Sequence, residues 1–159
     1  MIVRFLYMDP DTYTSIATHE MRQDILTKLF KEAYNGHSMT KQELADALGI
    51  KYQQLVYQLM NHLREFWTVT GEEKVRGTRM EYIAPANPHG IYICIGKNRK
   101  LYIVDPIAEL YGPLSEVGIR CDSCSVEERA YLVAIQRHRV LPMNLVRVGH
   151  DIQSMTLVT

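Results

Sequence analysis

Cys121-Asp-Ser-Cys124 is the most closely spaced set of metal- and redox-capable side chains in the sequence. Two thiolates at C-x-x-C spacing can grip one metal ion from a tight turn, or close a disulfide. A structural zinc site takes four protein ligands, and one further cysteine exists, Cys94. His89 or His138 would complete the set. A Cys3His zinc site over Cys94, Cys121, Cys124 and His89 would staple a hairpin to a helix. Ser125-Val-Glu-Glu128 reads as a capping box opening a helix to about Arg139. It places Cys124 at a helix N-terminus, where the dipole favours the reactive thiolate. No second C-x-x-C completes a zinc ribbon. The residues therefore fit a metal site, a redox pair and ordinary thiols alike, with Cys94 a small buried residue in the last case.

A second set of side chains suits nucleic acid. Lys51, Tyr52, Gln53, Gln54, Tyr57 and Gln58 fall on the polar side of one predicted helix. Glutamine carries a donor and an acceptor on one amide and can match the paired groups of an adenine edge. Lysine and tyrosine can hold phosphates or thymine methyls. Lys74, Arg76 and Arg79 follow in a charged stretch suited to the DNA backbone or minor groove. A plain solvated face explains the same pattern. Glu72 and Glu73 beside Lys74 weaken the stretch as a basic probe, and basic and acidic residues balance between Gly36 and Ala84. The affinity expected per protomer is modest and salt-sensitive, raised by dimerisation.

The elements that position these groups follow from periodicity. Thr18 is a plausible N-cap with Glu20 in the first turn, and Met21, Ile25, Leu29 and Ala33 repeat every fourth residue up to Asn35-Gly36. Thr40-Lys-Gln-Glu43 is a capping box for a second helix, with Leu44, Ala45 and Leu48 facing inward and Gly49 ending it. Leu55, Leu59 and Leu63 mark a third helix, its stripe extended by Val56, Phe66 and Trp67. Thr68 to Ile83 reads as a hairpin with a charged, glycine-rich tip.

Thr40-Lys-Gln-Glu-Leu-Ala-Asp-Ala-Leu-Gly-Ile50 resembles the first helix and turn of a helix-turn-helix, and Leu55, Leu59 and Leu63 resemble the buried positions of its recognition helix. Arg64-Glu-Phe-Trp-Thr-Val69 sits where ArsR-like regulators leave that helix and enter the wing. The resemblance is to winged helix-turn-helix transcriptional regulators, and it covers under half the chain. It implies double-stranded DNA as partner, a homodimer, and a sequence-specific regulator. The C-terminal cysteines would add a metal or redox sensor. Two other functions fit the residues: a winged-helix scaffold that binds protein without touching DNA, and a small metal or redox protein.

Ala84-Pro85-Ala86-Asn87-Pro88-His89-Gly90 is the best boundary. The expected organisation is an arm or edge strand over 1–17, the winged helix over 18–85 and a small α+β module over 86–159, giving an α+β chain. In the last module Ile91, Ile93 and Ile95 begin a hairpin that returns through Leu101–Val104. Pro106 to Tyr111 is expected to be helical or irregular, and Gly112-Pro113 a turn. Gly90-Ile-Tyr-Ile-Cys-Ile-Gly96 superficially resembles the first motif of GIY-YIG nucleases, but the match is compressed into one strand. Nothing nominates a catalytic acid–base pair, and the chain is not expected to be an enzyme. The 159 residues carry zero formal net charge and 47% apolar residues, enough for a core without disulfides. No apolar run approaches the ~18 residues that span a bilayer, and no signal peptide is evident, so a cytoplasmic location is expected.

Overall fold

The computed structural model describes residues 4–114 and is mixed α+β. The chain divides into two units, Thr14–Pro88 and, on either side of it, the described residues 4–13 and 89–114. The expected boundaries at 17/18 and 85/86 therefore move outward by a few residues. Of the two expectations for the N-terminal segment, the edge strand is the one observed: β1 (Arg4–Tyr7) pairs with β5 (Gly90–Ile95) in the second unit.

Helix α1 (Pro10–Ala17) corrects the reading of Asp9-Pro10-Asp11 as a simple turn. Asp9 Oδ1 accepts from the N–H groups of Asp11 and Thr12, both at 3.0 Å. Pro10 occupies the first helical position, where a missing N–H costs nothing. Thr18 is not the expected N-cap. Its hydroxyl donates back to Thr14 O at 2.6 Å, at the end of α1. Helix α2 (Glu20–Tyr34) starts instead from His19, whose side chain makes no capping bond. Gln23 Nε2 donates to Ile16 O and Ala17 O, so the preceding helix end is satisfied by the following helix.

In the Thr14–Pro88 unit, α2 turns Ile25, Leu26, Leu29 and Phe30 into the core, none more than 2% exposed. Burying each such side chain is worth roughly 1.5–3 kcal/mol. Gly36, at φ +79°, follows the last turn in the left-handed region a glycine adopts without strain. Strand β2 (Met39–Thr40) leads straight into α3 (Lys41–Leu48). The predicted capping box is formed: Glu43 N donates to Thr40 Oγ1 at 3.1 Å, and Thr40 N to Glu43 Oε2 at 2.8 Å. Gly49, at φ +67°, ends the helix.

Helix α4 (Tyr52–Asn61) follows after Gly49, Ile50 and Lys51. It is shorter than its apolar stripe. Leu63 lies past its C-cap His62, Arg64–Phe66 is a 3-10 turn, and Trp67 begins β3 (Trp67–Val75). Leu63, Phe66 and Trp67 are still buried, because the chain reverses over the same core. Strand β4 (Thr78–Pro85) returns after Arg76-Gly77, both at positive φ, as a two-residue hairpin loop of type I′ requires. Gly71 to Val75 are therefore strand, and the tip is shorter than the charged stretch suggests. Thr70 is an extra residue between Val69, opposite Ile83, and Gly71, opposite Tyr82. The sheet order is β2-β4-β3, with Met39 opposite Ile83 and Thr40 opposite Tyr82.

In the other unit the sheet order is β1-β5-β6-β7, with β6 at Leu101–Asp105 and β7 at Leu110–Pro113. Gly112 and Pro113 lie in that last strand, not in the expected turn: Gly112 pairs with Ile103 and Pro113 with Tyr102. Among the described strands β7 lies at the edge, where Pro113 need not donate to the ladder. Ile91, Tyr92, Ile93 and Cys94 are all buried, as a central strand covered on both faces demands.

Candidate nucleic-acid interface

Helix α4 buries Leu55, Gln58 and Leu59 and exposes Tyr52, Gln53, Gln54, Tyr57 and Met60. Residues 55, 58 and 59 follow the three- and four-residue spacing of one helix face. Gln58 is therefore a correction to the predicted base-reading set. It is 8% exposed, and its Oε1 accepts from Arg22 Nε at 2.8 Å. Its periodicity placed it inside, and its polar side chain suggested otherwise.

The neighbouring glutamines differ in what they can offer. Gln54 Oε1 accepts from Lys51 N at 3.2 Å, so that amide helps satisfy the start of α4 and only its NH2 group remains to donate. The Gln53 side chain makes no hydrogen bond among the described residues and is exposed, so both halves of its amide are available. Lys51 precedes it, exposed at the N-cap. Tyr57 stands edge-on to the His62 ring, with centroids 5.6 Å apart.

The β3–β4 hairpin places its charges by alternation. Lys74 lies directly opposite Arg79, and Glu72 opposite Glu81, so these side chains share one face. Arg79 Nε lies 3.2 Å from Glu72 Oε2, and Lys41 Nζ 2.7 Å from Glu81 Oε2. The hydrogen bond and charge of Lys41 hold the Glu81 carboxyl below its ordinary range. On the opposite face Tyr82 OH donates to Glu73 Oε2 at 2.9 Å, which raises the Tyr82 phenol above its ordinary value. Arg76 sits in the loop. The hairpin carboxylates are thus each engaged within the unit, while Lys51, Lys74 and Arg76 make no ion pair among the described residues. The composition is balanced, and in this unit Lys51 at the start of α4 and Lys74 and Arg76 at the hairpin tip are exposed cations without such a pair.

A groove of about 560 Å³ joins these elements. It is lined by Thr40 at the end of β2, Lys41 and Gln42 from α3, Tyr52 from α4 and Thr78–Glu81 from β4. Trp67 fixes the far end of α4: its Nε1 donates to Leu59 O at 2.9 Å. Lys41 Nζ and the Arg64 guanidinium each lie 5.1 Å from the Trp67 ring centre.

Of the predicted metal set, His89 and Cys94 are among the described residues. His89 and Cys94 are five residues apart along an extended ladder that begins with Arg4 N donating to His89 O. His89 lies in the turn that precedes β5 and Cys94 is buried within that strand. Burial pushes the Cys94 thiol above its ordinary value and the charge of Asp9 adds to it, which disfavours the thiolate a metal or redox role needs. Cys121, Cys124 and His138 lie outside the described residues. Among the described residues no group of His, Cys, Asp and Glu is placed to hold a metal, and no helix is long and apolar enough to cross a membrane.

The sequence matches no protein-family model and no curated protein.

Proposed function

We propose that residues 14–88 are a winged helix-turn-helix that binds double-stranded DNA, and that the protein is a DNA-binding transcriptional regulator. One observation carries this reading. The order α2, β2, α3, α4, β3, β4, with β2 laid against β4 and three residues between α3 and α4, presents the exposed face of α4 beside a two-stranded hairpin. Helix α4 would enter the major groove, with Gln53 reading a base edge and Lys51 and Tyr52 on the backbone. Lys74, Arg76 and Arg79 would meet adjacent phosphates. So few cations give modest affinity per protomer, which a homodimer on paired half-sites would raise.

The test is the anisotropy of a labelled random-sequence duplex titrated with protein from about 50 to about 300 mM salt. Wild type is compared with the triple variant Lys51→Ala, Gln53→Ala, Arg76→Asn. The expected result is binding that weakens with salt, with a shallower salt dependence in the variant. No binding by the folded protein at the lowest salt would sink the reading.

A second reading is supported by Tyr52, Tyr57 and Met60, exposed by 45%, 56% and 47% on α4. Aromatic and methionine side chains are enriched in protein interfaces. A protein-docking face would keep these contacts and ignore the duplex at every salt concentration.

A further inference from the structure

Lys74 and Arg79 are held directly opposite one another on an exposed strand pair. Like charges in this position destabilise a hairpin. The same face carries one close counter-charge for them, Glu72, whose carboxylate lies 3.2 Å from Arg79 Nε. Arg79 also lines the groove beside Tyr52 and Lys41, whereas Glu72 does not. The other wing carboxylate on that face, Glu81, is already committed to Lys41, whose side chain is only 15% exposed.

We propose that Lys74 and Arg79 form a phosphate clamp on the wing and that Glu72 is its built-in counter-ion, displaced when a DNA backbone phosphate arrives. This rests on the DNA-binding reading above and adds a regulating residue to it. The Arg79–Glu72 pair is exposed on both sides, at 74% and 46% of the side chain, so little energy holds it and exchange for a phosphate is easy. The Lys41–Glu81 pair is more sheltered and rests against Trp67, so it stays in place as part of the framework. Glu72 therefore sets the strength of the clamp. While it holds Arg79, a phosphate must compete with it. Once it is removed, Arg79 and Lys74 both face the ligand.

The experiment is a double-mutant cycle on the full chain, with Glu72→Gln, Arg79→Gln and both together, read as affinity for a random-sequence duplex across a salt series. The expected result is about two- to five-fold tighter binding for Glu72→Gln, the range of one exposed ion pair. Its salt slope should steepen by up to ~0.9, one additional phosphate contact. In the Arg79→Gln background Glu72→Gln should change affinity far less. An equal gain in both backgrounds would mean that Glu72 merely repels DNA, and would overturn the clamp while leaving the regulator reading intact. No gain in either background would overturn it too. If neither wild type nor Glu72→Gln binds at low salt, the DNA-binding reading falls, and the clamp with it.

Discussion

Arg22 donates from Nε to Gln58 Oε1 at 2.8 Å, and from Nη1 to Ser15 O at 2.8 Å and Ser15 Oγ at 2.6 Å. One guanidinium on α2 thereby ties the end of α1 to the inner face of α4. Charge-assisted bonds of this kind are stronger than neutral ones, and their loss leaves a buried amide without its donor.

Arg22→Ala should therefore destabilise the protein by roughly 1–3 kcal/mol. Gln58→Leu in the Arg22→Ala background should recover part of that loss, because the orphaned polar group is gone and a similar volume remains. Urea unfolding of the single and double variants checks this. If the double variant is no more stable than Arg22→Ala, the bond to Gln58 is not what Arg22 contributes.

Legibility in the sequence followed the local rules. Thr40, Glu43 and Gly49 bound a helix because capping depends only on near neighbours, and their geometry is as expected. Leu55 and Leu59 were readable from a four-residue repeat. Helix α1 is not legible because Asp-Pro-Asp signals a turn and an N-cap with the same residues. Strands β2 and β7 are too short, at two and four residues, to show a period, and exist through their ladder partners. The availability of each glutamine was not legible at all. It depends on Arg22, distant in sequence, for Gln58, and on a local cap for Gln54. The Glu72–Arg79 pairing likewise needs the hairpin register, which the bulge at Thr70 shifts by one residue.

Trp67→Phe should cost about 1–2 kcal/mol while keeping most of the ring in place. Leu59 O lies in the last turn of α4, where carbonyls lack a helical partner, and Trp67 Nε1 supplies one at 2.9 Å. Phenylalanine cannot. Thermal unfolding measures the loss, and a variant as stable as wild type would mean that water replaces the indole at that carbonyl.

His62 predicts a pH dependence with a definite sign. Burial, then the charges of Arg22 and His19, hold its imidazole below the ordinary value of 6.5. Above that pH both folded and unfolded chains carry it neutral, and its contribution is fully present. As pH falls below about 6.5 the unfolded chain takes up a proton that the folded one resists, so stability declines until the folded-state value is passed. His62→Gln should flatten part of the decline between about pH 7 and pH 5 in urea midpoints. An unchanged decline would assign it to other groups.

The hairpin loop allows folding and binding to be separated. Arg76 and Gly77 lie at φ +50° and +81°, a backbone that Asn-Gly fits better than Arg-Gly. Arg76→Asn keeps the turn and deletes a cation that makes no ion pair among the described residues. The melting temperature should hold or rise slightly, while DNA affinity falls and the salt slope shrinks by up to ~0.9. Gly77→Val disturbs the turn and keeps the charge. Space around Gly77 is open, so its cost is backbone strain of about 1–3 kcal/mol at positive φ, with no change in charge. Affinity should then fall with an unchanged salt slope. If Arg76→Asn binds the duplex as wild type does at every salt concentration, the hairpin tip does not touch DNA, and the exposed aromatic face of α4 becomes the surface to pursue.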